Sequence, residues 1–268
     1  MPEKKQNRKL RRFFTAVPLG ELGQELWLEP SETQHLRDSI RLKAGDTCLV
    51  TDGEGHEATA MIHEFVKDGR VRLEVTHFTG ETAVEGTGIF LRVMPVLLRK
   101  GKTDLLVEKA QELGVGEFRP LFSDRCEIKI GDEKVGKVTE RWCRIAREAS
   151  KQSGALNIMR IKEPVPLKTA VELIPEGEPL AIFHPGPGAL YFSEWISGLR
   201  PLKDRMTALN IIIGPEGGFS DDEIAWVRWK RKEKNFWVVG LGEVLLRADT
   251  AFVGIVAALR FSGILSPS

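Results

Sequence analysis

The stretch Ile211-Ile212-Ile213-Gly214-Pro215-Glu216-Gly217-Gly218-Phe219-Ser220-Asp221-Asp222-Glu223 decides the fold. Three consecutive β-branched residues read as a strand buried on both faces, and Gly214-Pro215 ends it abruptly. Gly217 and Gly218 let backbone N–H groups approach a ligand with no Cβ in the way. Ser220 with Glu223 three residues later is a capping box, so a helix is expected to begin there. Strand, glycine loop and capped helix together predict a ligand crevice at the carboxyl edge of an α/β sheet. Taken alone, a tight turn that merely reverses the chain is the default reading of such glycines.

A second copy of the pattern follows closely. Phe236-Trp237-Val238-Val239 reads as another buried strand, then come Gly240-Leu241-Gly242 and Val244-Leu245-Leu246-Arg247-Ala248-Asp249-Thr250, and residues 251 to 261 form a long apolar run. Neither copy has the Lys-Ser/Thr ending of a P-loop or the G-x-G-x-x-G spacing of a dinucleotide fold. A nucleoside ligand without a phosphate chain is therefore expected, rather than NAD or ATP. Upstream, the strand at 180 to 183 breaks at His184-Pro185-Gly186-Pro187-Gly188, which offers the crevice a third wall.

Composition sets outer bounds. The 268 residues suffice for one domain or two, and 39 basic against 38 acidic residues leave attraction to nucleic acid to local clustering. Cys48, Cys126 and Cys143 are odd in number and lack C-x-x-C spacing, which speaks for a reducing cytosol and against a disulfide framework or zinc site. His35, His56, His63, His77 and His184 also lack metal-ligand spacing, so no metal is expected. With no apolar run of membrane-spanning length and no signal-peptide core, the reading is a soluble, cytoplasmic protein without a membrane partner.

Along the chain, residues 1 to 12 form a basic arm with Lys4, Lys5, Arg8, Lys9, Arg11 and Arg12 against Glu3. Arg11-Arg12-Phe13-Phe14 combines phosphate contacts with stacking surface for RNA. Residues 24 to 79 read as short β segments with hairpin turns at Asp52-Gly53 and Asp68-Gly69, a small antiparallel barrel. One helix, 31 to 42, interrupts it with Ser31 as N-cap and carries His35, Arg37 and Arg41. The polar segment 81 to 88 is a linker. Beyond it strands alternate with helices, the signature of a mostly parallel α/β domain: strands at 89–98, 117–122, 158–161 and 209–213, and helices at 103–113, stopped by Gly114, and 137–153. On the last helix Val138, Trp142, Ile145 and Ala149 should face the core. Arg144, Arg147 and Lys151 line another side; such a stripe is usually solvated, and here it is also a candidate grip on RNA backbone.

These residues in this order resemble the ribosomal RNA small subunit methyltransferase E family of the SPOUT superfamily. The resemblance rests on Arg11-Arg12-Phe13-Phe14, His35 with Ile40-Arg41-Leu42, Arg99-Lys100-Gly101-Lys102 continuing to Lys109, Glu112-Leu113-Gly114-Val115, Pro120-Leu121-Phe122-Ser123, Arg125-Cys126, Gln152-Ser153, the Ile213 to Gly218 motif, and Leu241-Gly242 with Leu246-Arg247. It implies a PUA-like RNA-binding β-barrel over residues 1 to 80 and a SPOUT α/β trefoil-knot domain over residues 89 to 268. It further implies a homodimer, S-adenosyl-L-methionine as methyl donor, and methylation of uridine N3 in the decoding region of 16S rRNA within the assembled 30S particle.

The residues implied for the donor are Phe183, His184, Gly214, Pro215, Glu216, Gly217, Gly218, Leu241, Gly242, Leu245, Leu246 and Thr250. For RNA they are Arg11, Arg12, Phe13, His35, Arg41, Arg99, Lys102, Arg144, Arg147 and Gln152. Uridine N3 carries a proton at neutral pH, so a base or a cation should stand beside it; Arg247 and Asp249 are the candidates, with an N-cap of the last helix as the equal alternative for Asp249. The chain departs from the family pattern at Lys151, Ala155, Val244 and Asp249, and in Gly186 after His184-Pro185. A SPOUT enzyme acting on a ribose 2′-oxygen or on tRNA, and a non-catalytic RNA-binding assembly factor, are the competing readings.

Overall fold

Ala208–Ile213 is a strand in which every residue is buried, as its run of β-branched residues demands. The computed structural model, which describes residues 10–79, 88–99, 101–186, 188–232, 235–243 and 245–265, divides into two compact units, Met1–Glu85 and Gly86–Ser268. The lysines of the basic arm, most of the linker, Lys100, Pro187 and Val244 lie outside the described residues.

The first unit holds strands β1 (Arg12–Phe14), β2 (Glu25–Leu28), β3 (Thr47–Thr51), β4 (Glu57–Phe65) and β5 (Val71–Phe78), with helix α1 (Pro30–Gln34) continuing into a π-helical turn, His35–Ile40. Their order is β1-β3-β4-β5-β2. Both Asp-Gly hairpins form: Gly53 (φ 77°) and Gly69 (φ 86°) turn β3 into β4 and β4 into β5, all antiparallel. The sheet is mixed rather than wholly antiparallel, because β1 lies parallel beside β3. Breaks in register at Thr59/Ala60 and Ile62/Glu64 add twist and curl to it. Ser31 is not the cap of α1: Glu29 occupies that position and Pro30 takes the first helical turn, where its missing N–H costs nothing.

The second unit runs β6 (Phe90–Pro95), α2 (Lys102–Glu112), β7 (Glu117–Phe118), β8 (Leu121–Phe122), α3 (Asp132–Ser153), β9 (Arg160–Ile161), β10 (Val165–Pro166), α4 (Leu167–Glu172), β11 (Leu180–Phe183), β12 (Leu190–Tyr191), α5 (Phe192–Leu199), β13 (Ala208–Ile213), α6 (Asp221–Lys230), β14 (Phe236–Gly240) and α7 (Ala248–Phe261). Seven strands form one sheet in the order β12-β14-β11-β13-β6-β7-β9, every pair parallel. The strand expected at 117–122 is two strands in two sheets. Pro120 has no N–H for a ladder, and beyond it β8 pairs with β10. Only Arg160–Ile161 of the expected 158–161 strand pairs, and α3 starts earlier than expected, at Asp132.

Helices cover both sheet faces. On one, Leu106, Val107 and Ala110 of α2 and Phe252, Ile255, Val256 and Leu259 of α7 pack with Leu91, Val93, Ile211 and Ile213. On the other, Leu167, Ala170 and Val171 of α4 and Ile224 and Val227 of α6 pack with Met94, Ile182 and Ile212. Each fully buried isoleucine contributes roughly 1.5–3 kcal/mol. Arg92, Glu178 and Asn210 form a polar knot at the buried start of β13: Asn210 Nδ2 donates to Glu178 Oε2 (2.9 Å) and to the Pro179 carbonyl (3.0 Å). No helix among the described residues is long and apolar enough to cross a membrane.

Candidate active site

The sheet order fixes where the loops meet. The loops leaving β13 (214–218) and β14 (241–247) are not side by side; β11 stands between their strands, so its own loop, from His184 onward, is the middle wall. All three leave carboxyl ends of parallel strands and open on one edge, the position expected for a ligand crevice. Residues 241–243 follow β14 and residues 245–247 lead into α7, whose Asp249 stands 3.7 Å from Lys102 at the start of α2.

The 214–218 loop is pinned where it enters α6. Ser220 caps α6: its hydroxyl accepts the Glu223 N–H (3.2 Å) while Glu223 Oε2 accepts the Ser220 N–H (2.9 Å). The same hydroxyl donates to Asp124 Oδ2 (2.6 Å), and Glu223 Oε1 accepts the Asp124 N–H (2.9 Å). Arg125 donates to the Gly217 carbonyl (2.7 Å). Gly218 is left-handed (φ 67°), and a Cβ there would lie 3.9 Å from His184 Nδ1. That nitrogen is buried without a hydrogen-bond partner. Burial holds the His184 pKa below its ordinary value, with Arg125 and Arg228 acting in the same direction and Asp221 opposing them.

Glu216 accepts from Lys102 Nζ (2.8 Å), and Asp249 Oδ2 stands 3.7 Å from the same nitrogen. The Lys102 hydrogen bond holds the Glu216 carboxyl below its ordinary pKa, against burial and the Asp249 charge. Asp249 is not the N-cap of α7: Arg247 is, through its backbone, and Asp249 sits in the first turn, where the helix dipole favours a carboxylate. Its Oδ1 is buried, 3.6 Å from Arg247 Nε, with no hydrogen-bond partner. Arg247 itself is open to solvent, its side chain 71 % exposed.

The residues expected at the donor thus line one sheet edge, with Leu245 and Leu246 exposed, Thr250 in the first turn of α7 and Gly242 in a positive-φ turn with open space beside it. Lys102, expected at RNA, is held by two carboxylates of the crevice. Nothing in the sequence marked it as their common partner except its place just after Gly101. Arg99 pairs with Glu127 (2.6 Å). Arg144 and Gln152 line a cavity of about 510 Å³ between α2 and α3 whose other walls include Glu108, Glu112 and Glu148. The stripe on α3 is accordingly less basic than its sequence suggests, and Lys151 pairs with Glu148 (2.9 Å). Arg147 is on the exposed side of α3.

In the first unit, Phe13 is fully buried in the sheet core, because β1 is a strand that turns this ring inward, and Phe14, next along the strand, is also buried. Phe13 is therefore a core residue rather than a stacking platform, its ring 5.9 Å from that of exposed His35. Arg12 bonds Glu57 (2.5 Å). Arg11 lines a cavity of about 390 Å³ with Ser39, Ile40, Asp46 and Thr47. Exposed Arg41 has φ 61°, alone among the described non-glycine residues in the left-handed region, a conformation that costs roughly 1–2 kcal/mol.

A family model described as RNA methyltransferase domain matches residues 89–260. The Ribosomal RNA small subunit methyltransferase E of Bacillus subtilis is 24 % identical over 230 residues, covering 86 % of this chain and 87 % of that protein. Its counterpart in Aquifex aeolicus is 39 % identical over 158 residues, 58 % of this chain and 61 % of that one. A methyltransferase from Legionella pneumophila, solved in complex with the bound cofactor SAM, superposes with a TM-score of 0.79 at 27 % identity, over 94 % of this chain and 97 % of the other.

Proposed function

The chain belongs to the RNA methyltransferase domain family, and on that premise we propose that it methylates N3 of a uridine in the decoding region of small-subunit rRNA, with S-adenosylmethionine as donor. The observation that carries the reading is the meeting of three carboxyl-end loops around buried polar atoms without partners, His184 Nδ1 and Asp249 Oδ1. A nucleoside fits such a place: glycines at 214, 217, 218 and 242 keep side chains out of the way, and the two orphaned atoms lack only a ligand's hydrogen bonds.

Phe183, His184, the 214–218 loop and residues 241–246 would hold the donor, largely through backbone groups. When bound, S-adenosylmethionine supplies a methyl group already activated by its positive sulfur. The chain's own work is then positioning and charge management. Asp249 Oδ1 takes the uridine N3 proton, and Arg247, exposed beside it, offsets the negative charge left on the base. Lys102 keeps Asp249 and Glu216 in place from behind.

The finer architecture follows the same reading. The mixed sheet of the first unit serves as a PUA-like RNA-binding barrel. Residues 89–268 serve as the SPOUT trefoil-knot domain that the sequence resemblance implies. The enzyme works as a homodimer on the assembled small subunit, in the cytoplasm. Incubating purified small subunits with labelled donor and mapping the modified nucleotide tests the whole: label at N3 of one decoding-region uridine is expected. Label in a ribose, in tRNA or nowhere would overturn it.

A further inference from the structure

Helices α4 and α6 bury Leu167, Ala170, Val171, Ile224 and Val227 against the sheet, which turns their opposite faces to solvent. That outer face is not neutral cover. Trp229 is 60 % exposed, and Trp226, one turn earlier, is only partly buried. Lys168 Nζ lies 5.6 Å over the Trp226 ring, and Lys232 Nζ 5.9 Å over that of Trp229. Exposed Arg228 stands between the two tryptophans in sequence, and Lys230 is 3.9 Å from Glu172, with both side chains about half exposed. Cations laid over indoles beside an open ring are what a stacked, negatively charged strand would meet.

We infer that this α4/α6 face is a second RNA contact, where a base of a single-stranded substrate segment stacks on Trp229 while neighbouring phosphates meet Lys168, Arg228 and Lys232. The choice of RNA as partner rests on the function proposed above; the face itself is separate from the donor crevice. α6 links the two, since it starts at Ser220 directly after the 214–218 loop and its ten residues span about 15 Å. A strand bound here would continue toward the crevice along one helix.

The test uses the full chain and a labelled single-stranded RNA carrying the decoding-region sequence, with protein-free 16S rRNA and assembled small subunits alongside. Trp229→Ala should weaken RNA binding about 5- to 100-fold, and Trp229→Phe, which keeps a stacking ring, should recover most of it. The double variant Lys168→Gln, Lys232→Gln should lower the slope of log affinity against log salt by about 1.4, roughly 0.7 per lost phosphate contact. Thermal midpoint and calorimetric donor binding should match the parent, which excludes misfolding. Unchanged RNA affinity and salt slope would overturn the inference. So would a loss seen with assembled subunits alone, which would make the partner a protein. If the parent binds RNA through this face yet takes up no donor, the proposed function fails and the RNA contact stands.

Discussion

Asp249 is the residue on which the proposed chemistry turns, and its Oδ1, 3.6 Å from Arg247 Nε, has no hydrogen-bond partner. Replacing Arg247 with Ala should lower turnover by about two to three orders of magnitude, the usual cost of removing a group that stabilises developing charge. Donor affinity measured by calorimetry should stay within about two-fold, since Arg247 is exposed and reaches forward. Lys102→Met should raise the titration midpoint of Glu216 toward its ordinary value of 4.5, read by carbon-13 NMR of the carboxyl. The sign follows from the present depression: a carboxyl whose pKa is lowered by folding adds stability above its unfolded value, and loses it as pH falls through the folded one. The variant should therefore lose a small margin of stability near neutral pH, a difference that closes as pH falls through the acid range and is kept small by the half-exposed Glu216 side chain. His184 behaves differently. Its pKa is lowered mainly by burial, so the unfolded chain binds the proton first and stability falls as pH drops below about 6.5. His184→Gln should flatten that part of a plot of thermal midpoint against pH.

Among the elements, those whose residues agree at every level were legible in the sequence. The capping box at Ser220, the apolar β13, the Gly114 stop after α2 and both Asp-Gly hairpins form as their residues dictate. Ser220→Ala should cost about 1–2 kcal/mol in urea unfolding, because it removes both the cap and the hydrogen bond to Asp124. It should also weaken donor binding, since the same residue anchors the 214–218 loop. What could not be read were features set by partners distant in sequence. Phe13 looks like a stacking surface until β3 pairs with β1 and turns it inward. Residues 117–122 look like one strand until Pro120 divides them between two sheets. Arg144 and Lys151 look like a basic stripe until Glu148 and the acids of α2 come alongside. The place of Lys102 between Glu216 and Asp249 depends on contacts over more than a hundred residues and has no local signature.

For the molecule as a whole, two separate cores imply two separable tasks. A fragment covering residues 86–268 should fold, with a cooperative thermal transition, and bind donor with near-parental affinity. It should methylate small subunits poorly, because the first unit, to which the RNA-gripping role is assigned, is gone. Fusing that unit back through residues 80–87 restores the parent chain and should restore turnover. The position of β11 between β13 and β14 has a consequence for synthesis. The middle wall of the crevice is made before either neighbour, and the wall that leaves β14 is made after both of the others. A nascent or prematurely terminated chain can own its entire RNA-facing portion and still lack a place for the methyl donor, so competence arrives in a single late step.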